Sequence, residues 1–172
     1  KHVLLEKPVE ITTRRATELV ETCERFGVTL GIVFQHRFRT AATTLAQLLA
    51  ANMLGRIATC SASVRNWRPQ KYYDEPGRGT YARDGGGVLI TQAIHTLDLM
   101  LSLAGPVEEV RGYTATTPLH NMESEDYAAA AVHFANGAFG TIEATTAAYP
   151  GFPDRIEITG TRGSAVLAGT AL

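Results

Sequence analysis

The sequence has few of the residues that build disulfide-rich or metal-centred folds. Among its 172 residues only Cys23 and Cys60 are cysteines, and neither lies in a CxxC motif or at ligand spacing from a histidine. A disulfide framework and a structural zinc site are therefore disfavoured. Asp126 and Glu143 have no neighbouring ligands in the sequence, so no metal site is predicted. We expect both thiols to be buried and to pack as small apolar groups.

The sequence also lacks an excess of either charge and a long hydrophobic run. It has 16 basic and 17 acidic residues, a net charge of -1, and 45% apolar residues, as in ordinary globular proteins. Nucleic acid and anionic membrane surfaces are therefore disfavoured as partners. The longest apolar stretches, 29–34 and 128–132, are far shorter than the roughly 20 residues of a membrane-spanning helix, and no signal segment opens the chain. We expect a soluble, cytoplasmic protein.

The opening residues predict a parallel strand–helix–strand unit. An apolar run, Val3–Leu5, precedes a helix that begins at Thr12 or Thr13 and ends at Phe26 before Gly27. Residues 28–34 are β-rich and nearly all apolar, which is typical of a strand buried on both faces. Because Lys1 leads directly into the first strand, we expect the chain to begin inside a structural unit.

The middle of the chain predicts two helices around one strand and one irregular segment. The helices are expected over 40–53 and from Val88 to about Ala104, and the strand over 56–65. Residues 67–79, rich in rings, prolines and charges, are expected to fold irregularly over a site. The glycines 85–87 match no phosphate-binding motif, so close backbone packing at a helix start is the favoured interpretation.

The remainder predicts a mostly antiparallel sheet of four or five strands with helices on one face. The strands are expected over 107–115, 126–135, 138–148, 155–159 and 164–168. Asn136-Gly137 predicts a type I′ turn, and Thr161-Arg162-Gly163 a second tight hairpin. The uncovered face is expected to present Ala129, Ala131, Thr141, Glu143 and Thr145 or their alternates.

Two residues have the strongest claim to chemistry. Lys7 follows a strand of a parallel unit, where ligands of open α/β sheets bind, and Pro8 holds its backbone extended. The alternative is a surface lysine in a loop. His95 lies one helical turn from Thr91 and from Asp98, which could orient its ring for acid/base work. The alternative is a hydrogen-bonded structural histidine.

Together these motifs resemble the Gfo/Idh/MocA oxidoreductases, which are NAD(P)-dependent sugar and polyol dehydrogenases. The resemblance rests on the segment 3–8 with its Glu6-Lys7-Pro8, on Gln35-His36-Arg37-Phe38, and on residues 84–89 followed by His95 and Asp98. It implies that residues 1–35 are the last strand–helix–strand piece of a Rossmann domain. Residues 36–172 would be most of a C-terminal α/β substrate-binding and oligomerisation domain, with an open, mostly antiparallel sheet.

The resemblance also implies an active site. Lys7 and His95 would be catalytic, and the cofactor, NAD or NADP, would contact Glu6, Lys7, Pro8, Trp67 and Arg68. A sugar-like substrate would contact Arg37, Thr91, Gln92 and His95. Thr91 stands where the family commonly has an aspartate, and Thr91-Gln92 with Arg78-Gly79-Thr80 is similar to the branch that oxidises nucleotide-linked amino-sugar acids.

The resemblance implies a reaction and leaves other functions open. A secondary hydroxyl would be oxidised by hydride transfer to nicotinamide, by a homodimer or homotetramer formed through the open sheet face. The glycine-rich dinucleotide turn is not among these residues, so we expect the chain alone to bind NAD(P) weakly and to be inactive. The alternatives are a non-catalytic β-sheet oligomerisation module and a cofactor-dependent lyase or glycosidase on the same fold.

Overall fold

Two sheets of unequal size organise the chain. A computed structural model describes residues 1–172. The strands are β1 (Val3–Glu6), β2 (Leu30–Val33), β3 (Ile57–Arg65), β4 (Val107–Ala115), β5 (Tyr127–Phe134), β6 (Phe139–Thr145), β7 (Arg155–Gly160) and β8 (Gly163–Ala168). The helices are α1 (Thr13–Arg25), α2 (Thr40–Ala50), α3 (Gln70–Tyr73), α4 (Tyr81–Asp84) and α5 (Ile94–Ala104), with a 3₁₀ helix at Gln35–Phe38 and a π turn at Leu89–Ala93.

The small sheet is the predicted strand–helix–strand unit. Strands β1 and β2 are parallel, and α1 connects them, capped by the Thr12 hydroxyl that accepts from Arg15 N at 3.3 Å. The expectation that β2 is buried on both faces is wrong, because its four residues are only half-buried. Leu4 of β1 is 79% exposed. A two-stranded sheet packed by one helix leaves its second face uncovered.

The large sheet is mostly antiparallel, as predicted, but it has six strands in the order β4-β5-β6-β3-β7-β8. The additional strand is β3, which pairs in parallel with β6 and antiparallel with β7. Strand β3 therefore fills the position between two strands that follow it in the chain. The sequence predicted the strand itself, whereas its neighbours depend on pairing across long sequence separations.

One face of the large sheet holds the core. The side chains of Leu45, Met100, Phe134, Ile156 and Ile158 are at most 1% exposed, where α2 and α5 pack on the sheet.

The other face of the large sheet is open, as predicted. Since Ala128 and Val132 are buried, Ala129 and Ala131 point to the opposite side. Thr141 and Glu143 share that side through their pairing with β5. Thr145, also expected there, is buried, because the chain after β6 turns back and Ala147 N donates to its Oγ1 at 3.0 Å.

The two predicted hairpin turns differ in outcome. Gly160 pairs with Gly163, so the Thr161-Arg162-Gly163 hairpin is confirmed. The type I′ assignment at Asn136-Gly137 is wrong. Gly137 has a positive φ of 86° and Asn136 does not, and Gly137 N donates to Phe134 O at 2.8 Å. This is a longer loop in which only the glycine adopts the left-handed conformation.

The glycines at 85–87 pack closely at a helix start, as expected. A Cβ on Gly87 would lie 1.8 Å from the Glu125 carbonyl oxygen, so only glycine fits there. The Glu125 carboxylate accepts from Gly87 N at 3.0 Å and from Leu89 N at 3.3 Å, which satisfies two free N–H groups. The following helix was expected to be regular from Val88, but it begins with the π turn.

The segment Tyr81–Ala104 is long and apolar enough to cross a membrane by length and composition alone, although no single run in the sequence indicated this. Its α5 part packs against β3 and β7. Leu99, Met100 and Ala104 of α5 belong to the buried core. This packing is that of a core helix.

Candidate active site

A cavity of about 360 Å³ opens where the chain leaves β1. It lies at the carboxyl end of a parallel strand, where ligands of open α/β sheets bind. Its lining residues are Lys7, Pro8, Ile11, Tyr72, Arg78, Arg83, Asp84, Ile90, Thr91 and Gln92. Four of the residues predicted for the site, Lys7, Pro8, Thr91 and Gln92, therefore share one cavity.

Lys7 bridges the two parts of the chain at this cavity. Its Nζ donates to the Thr91 carbonyl oxygen at 2.9 Å. Thr91 lies in the π turn, a helical irregularity that is frequent at functional sites. The lysine of the small sheet is thus held against the helix that carries His95.

Gln92 joins the cavity wall to the irregular segment 67–79. Its Oε1 accepts from the Arg68 guanidinium at 2.9 Å, and its Nε2 donates to the Tyr72 hydroxyl at 3.3 Å. Arg78 also donates to the Tyr72 hydroxyl at 2.7 Å. The segment was expected to be irregular, but it contains the short helix α3 at Gln70–Tyr73, from which Tyr72 lines the cavity.

His95 is buried, with 7% exposure, beside the cavity. Its ring stacks on His36 with centroids 5.0 Å apart and meets Phe34 edge-on at 6.3 Å. Its Nδ1 is buried and has no hydrogen-bond partner. Burial lowers the pKa of His95, and the charge of Lys7 lowers that pKa further.

The expected orientation of His95 by Thr91 and Asp98 is wrong. The Thr91 hydroxyl donates to the Gly87 carbonyl oxygen at 2.7 Å. Asp98 accepts from both Nε and a terminal nitrogen of Arg37, each at 2.6 Å. Helical spacing placed both side chains within reach of the ring, but each has a better partner.

Arg37 lies outside the cavity lining, bound to Asp98. The two parallel hydrogen bonds are the strong geometry for an arginine and a carboxylate, and they raise the pKa of Arg37. Its predicted contact with a substrate would require this ion pair to open.

Of the residues expected near a cofactor, Lys7 and Pro8 line the cavity, whereas Glu6, Trp67 and Arg68 lie outside the lining. Glu6 is an exposed residue that pairs with Val33 at the end of β1. Trp67 packs edge-on against Tyr149 at 5.5 Å, outside the lining. Arg68 lies over the Tyr72 ring at 5.4 Å, and its Nε is buried without a partner. This orphaned donor and His95 Nδ1 are the buried side-chain polar atoms that the chain leaves unsatisfied.

The sequence did not predict that the charged side chains of Arg78, Arg83 and Asp84 line the site. Arg78 and Arg83 both bind Glu75, whose pKa they lower, and Arg83 reaches it at 3.0 Å. Asp84 accepts from Gly79 N at 2.7 Å. The only signal was the composition of segment 67–79, because these partners are set by a turn whose path the sequence does not reveal.

A second buried histidine, His120, lies behind the same segment. His120 and Asp126 have no exposed side-chain surface, and the His120 Nδ1 lies 2.6 Å from Asp126 Oδ2. Its Nε2 lies 2.7 Å from the Arg68 carbonyl oxygen. Asp126 also accepts from Thr117 N at 2.7 Å and from its hydroxyl at 2.6 Å. Asp126 therefore fixes a histidine and a loop.

Both cysteines are free and buried, as expected. Burial raises the pKa of the Cys60 thiol to about 12, so it packs as an uncharged group.

The sequence matches that of a known family. The family model of the GFO/IDH/MocA C-terminal domain matches residues 42–166. The chain belongs to the Gfo/Idh/MocA family. The fold, with one mostly antiparallel sheet and helices on one face, also matches solved dehydrogenase structures.

Several relatives are dehydrogenases or oxidoreductases. The solved WlbA dehydrogenase from Bordetella pertussis, in complex with NADH and UDP-GlcNAcA, is 35% identical with a TM-score of 0.93, over 99% of this chain and 51% of that one. The uncharacterized oxidoreductase YrbE of Bacillus subtilis is 28% identical, over 96% of this chain and 48% of that protein. Myo-inositol 2-dehydrogenase of Thermotoga maritima is 25% identical, over 95% and 48%. The chain thus spans about half the length of the relatives it matches.

Proposed function

We propose that the chain is the substrate-facing part of an NAD(P)-dependent dehydrogenase that oxidises a secondary hydroxyl of a sugar, a polyol or a nucleotide-linked sugar. The observation that carries the proposal is the pairing of Lys7 with the helix of His95. The lysine ammonium lines the cavity and binds Thr91, one turn before the buried His95 ring, which lies outside the lining. Burial and the charge of Lys7 both lower the pKa of His95. The family membership and the named activities of the relatives support it.

The two side chains have complementary roles in such a reaction. Because its pKa lies below the usual 6.5, His95 is neutral at neutral pH and can accept the hydroxyl proton. Lys7 is a cation that can donate to the same oxygen and stabilise the developing alkoxide charge. A nicotinamide bound beside them would supply the hydride acceptor.

We propose an anionic, nucleotide-linked sugar acid as the substrate class. Lys7, Arg78 and Arg83 line the cavity against one carboxylate, Asp84, so the lining carries excess positive charge. Arginine is well suited to bind carboxylates and phosphates. The WlbA dehydrogenase, which is 35% identical, was solved with UDP-GlcNAcA. Thr91 and Gln92, at the back of the cavity, would contact the sugar.

We propose the same division of the chain that the resemblance implied. Residues 1–35 would belong to the dinucleotide-binding domain and residues 36–172 to the substrate domain, a division supported by the family match over 42–166. Glu6, Lys7, Pro8, Trp67 and Arg68 would then contact the nicotinamide end of NAD or NADP. The remainder of the dinucleotide would need binding groups from a glycine-rich turn.

The test is turnover by the chain joined to the dinucleotide-binding half of the WlbA dehydrogenase. NADH formation is measured with UDP-GlcNAcA and with myo-inositol as the contrasting neutral substrate. Oxidation of UDP-GlcNAcA supports the proposal. Oxidation of myo-inositol but not of UDP-GlcNAcA would support the proposed reaction and contradict the proposed substrate class. A cleaved product without net NADH would indicate a lyase or glycosidase.

The catalytic roles of Lys7 and His95 are tested by substitutions in the same fusion protein. Lys7→Ala and His95→Ala should each lower kcat by roughly 10² or more, with little change in cofactor affinity. The double variant should be scarcely slower than the slower single one, because either change disables the same proton transfer. Arg14→Ala, a change on the exposed face of α1, is the matched control. Full turnover by folded His95→Ala protein would remove this residue from the mechanism.

The open sheet face supports a second proposal, a homodimer or homotetramer formed through it. Tyr113 and Phe139 are 86% and 62% exposed, and Ala129, Ala131 and Thr141 present small side chains between the strands. Such a surface suits close packing against another sheet. Sedimentation of the chain and of its Ala131→Glu variant tests this. A wild-type monomer at tens of micromolar contradicts the proposal.

A further inference from the structure

A hydrogen-bonded network of polar groups, two buried and one half-buried, lies behind His95 and has no role in the reaction proposed above. It joins His36 of the 3₁₀ helix, Thr96 of α5 and Asp154, which directly precedes β7. His36 and Thr96 are 6% and 2% exposed. Residues from three separate elements thus form one network behind the His95 ring.

The hydrogens in this network can be placed by counting its hydrogen-bond donors. The Thr96 hydroxyl donates its single hydrogen to Asp154 Oδ2 at 2.8 Å. Towards His36 Nδ1, at 3.3 Å, the same oxygen must therefore act as the acceptor. His36 Nδ1 then carries the hydrogen, and its Nε2 is the unprotonated nitrogen. The carboxylate of Asp154 thereby sets the tautomer of a ring that it does not touch.

His36 in turn covers one face of His95. The rings stack with an interplanar angle of 29° and centroids 5.0 Å apart. Burial lowers the pKa of His36 to about 4, with further contributions from the charges of Arg39 and His95. His36 is therefore neutral at neutral pH. It adds no charge beside His95 when that ring takes up a proton.

His95 needs such support because no carboxylate holds its Nδ1. Its Nδ1 is buried without a partner, and Asp98 is bound to Arg37. The charged groups that act on the ring are Lys7, Arg39, Glu6 and Asp98, in addition to the neutral ring of His36. Packing by His36 and Phe34 then holds the plane of the His95 ring.

We propose that His36, held by Thr96 and Asp154, is the positioning residue of His95. The relay fixes one tautomer of a neutral imidazole, and that imidazole holds the His95 ring in place and excludes water from its face. The description of His95 as a base rests on the proposed function. The relay itself does not, since it concerns the tautomer of one histidine and the burial of another.

The test is nitrogen NMR of the five histidines in the chain without substrate or cofactor. In the wild type, His36 should be protonated at Nδ1 at neutral pH. Thr96→Val removes the hydroxyl and keeps the shape, so His36 should lose this preference and populate the Nε2-protonated form. Asp154→Asn should weaken the same preference. A wild-type His36 protonated at Nε2 would overturn the proposal.

The positioning role is read from the titration of His95. His36→Ala should raise the pKa of His95, because it admits water to a ring whose burial is the main cause of the low value. His36→Phe keeps the stacked ring and should leave that pKa low. His133→Ala is the matched control, since His133 stacks on Phe139 at 4.7 Å on the open face. If His36→Ala is unfolded, Thr96→Val and His36→Phe decide the question.

The outcomes separate this inference from the proposed function. An unchanged pKa of His95 in folded His36→Ala would overturn the positioning role even if the fusion enzyme turns over. Conversely, an inactive fusion with the expected NMR result would contradict the dehydrogenase and retain the relay. In an active fusion, His36→Ala should shift the acidic limb of the kcat profile to higher pH, and His36→Phe should restore it.

Discussion

Two buried histidines, His95 and His120, differ in almost every respect of their surroundings. His120 has acceptors at both ring nitrogens, the Asp126 carboxylate and the Arg68 carbonyl. His95 has no partner at its Nδ1 and is held by the stacked ring of His36. The first ring is fully hydrogen-bonded, and the second is almost only packed.

This difference separates a structural role from a chemical one. A buried polar group that has all its partners stabilises one arrangement of the chain, whereas a buried group without partners raises the free energy of the fold. The orphaned nitrogen therefore lies where a ligand is expected, near the cavity of Lys7. His120 instead anchors the backbone of Arg68, whose guanidinium donates to Gln92 in the cavity lining.

Removing Asp126 tests the structural role of His120 and should have the largest effect. Asp126→Ala should lower the free energy of unfolding by about 3–5 kcal/mol, because it leaves a fully buried histidine without its carboxylate. Urea denaturation followed by circular dichroism measures this loss.

The matched control is the exposed pair of His133 and Glu108, whose atoms lie 3.9 Å apart. Glu108→Ala should change the free energy of unfolding by less than about 0.5 kcal/mol, since exposed ion pairs contribute little. Equal losses in the two variants would mean that Asp126 contributes no more than a surface carboxylate.

A second prediction concerns pH and the ring that supports His95. Because the pKa of His36 falls from 6.5 to about 4 on folding, the unfolded chain binds more protons between these values. The contribution of His36 to the free energy of unfolding is therefore fully present above pH 6.5. As the pH falls towards 4, that free energy decreases by up to about 3 kcal/mol. Urea midpoints at pH 7, 5.5 and 4.5 measure this slope.

Other groups titrate in the same range, so the difference between wild type and His36→Phe isolates the histidine. Asp154 has the opposite sign, because burial raises its pKa and the folded chain then holds its proton more tightly. The free energy of unfolding of His36→Phe should therefore fall less with decreasing pH than that of the wild type. Identical slopes would show that His36 titrates normally in the folded chain.

The sequence predicted the elements well and the contacts of the site poorly. The strand–helix–strand unit, the six large-sheet strands and the position of Lys7 at a strand end follow from hydrophobic patterns and turn residues, which are local signals. The partners of His95 do not. Helical spacing suggested Thr91 and Asp98, whereas the ring lies against His36, which is in a 3₁₀ helix and 59 residues earlier in the chain.

The π turn explains a further part of what was missed. A regular helix from Val88 predicts one polar stripe through Thr91 and His95, and the wider turn at Leu89–Ala93 alters that register. No residue in this stretch signals the change, and two residues of the turn, Thr91 and Gln92, bind Lys7 and Arg68, which are distant in the sequence. The location of the site was therefore predictable, and the hydrogen bonds within it were not.

The smallest predicted effect tests whether Asp98 belongs to the surroundings of His95 at all. Asp98→Asn removes the charge that binds Arg37, a pair in which the arginine is 47% exposed, so the loss of stability should be below about 1 kcal/mol. Thermal and urea denaturation measure that loss. Since the charge of Asp98 raises the pKa of His95 only as the last of several contributions, that pKa should fall slightly further in the variant. Arg37→Gln should produce the same small loss of stability, because it breaks the same two hydrogen bonds. A large fall in kcat of the fusion enzyme with Asp98→Asn alone would instead restore Asp98 as the group that orients the imidazole.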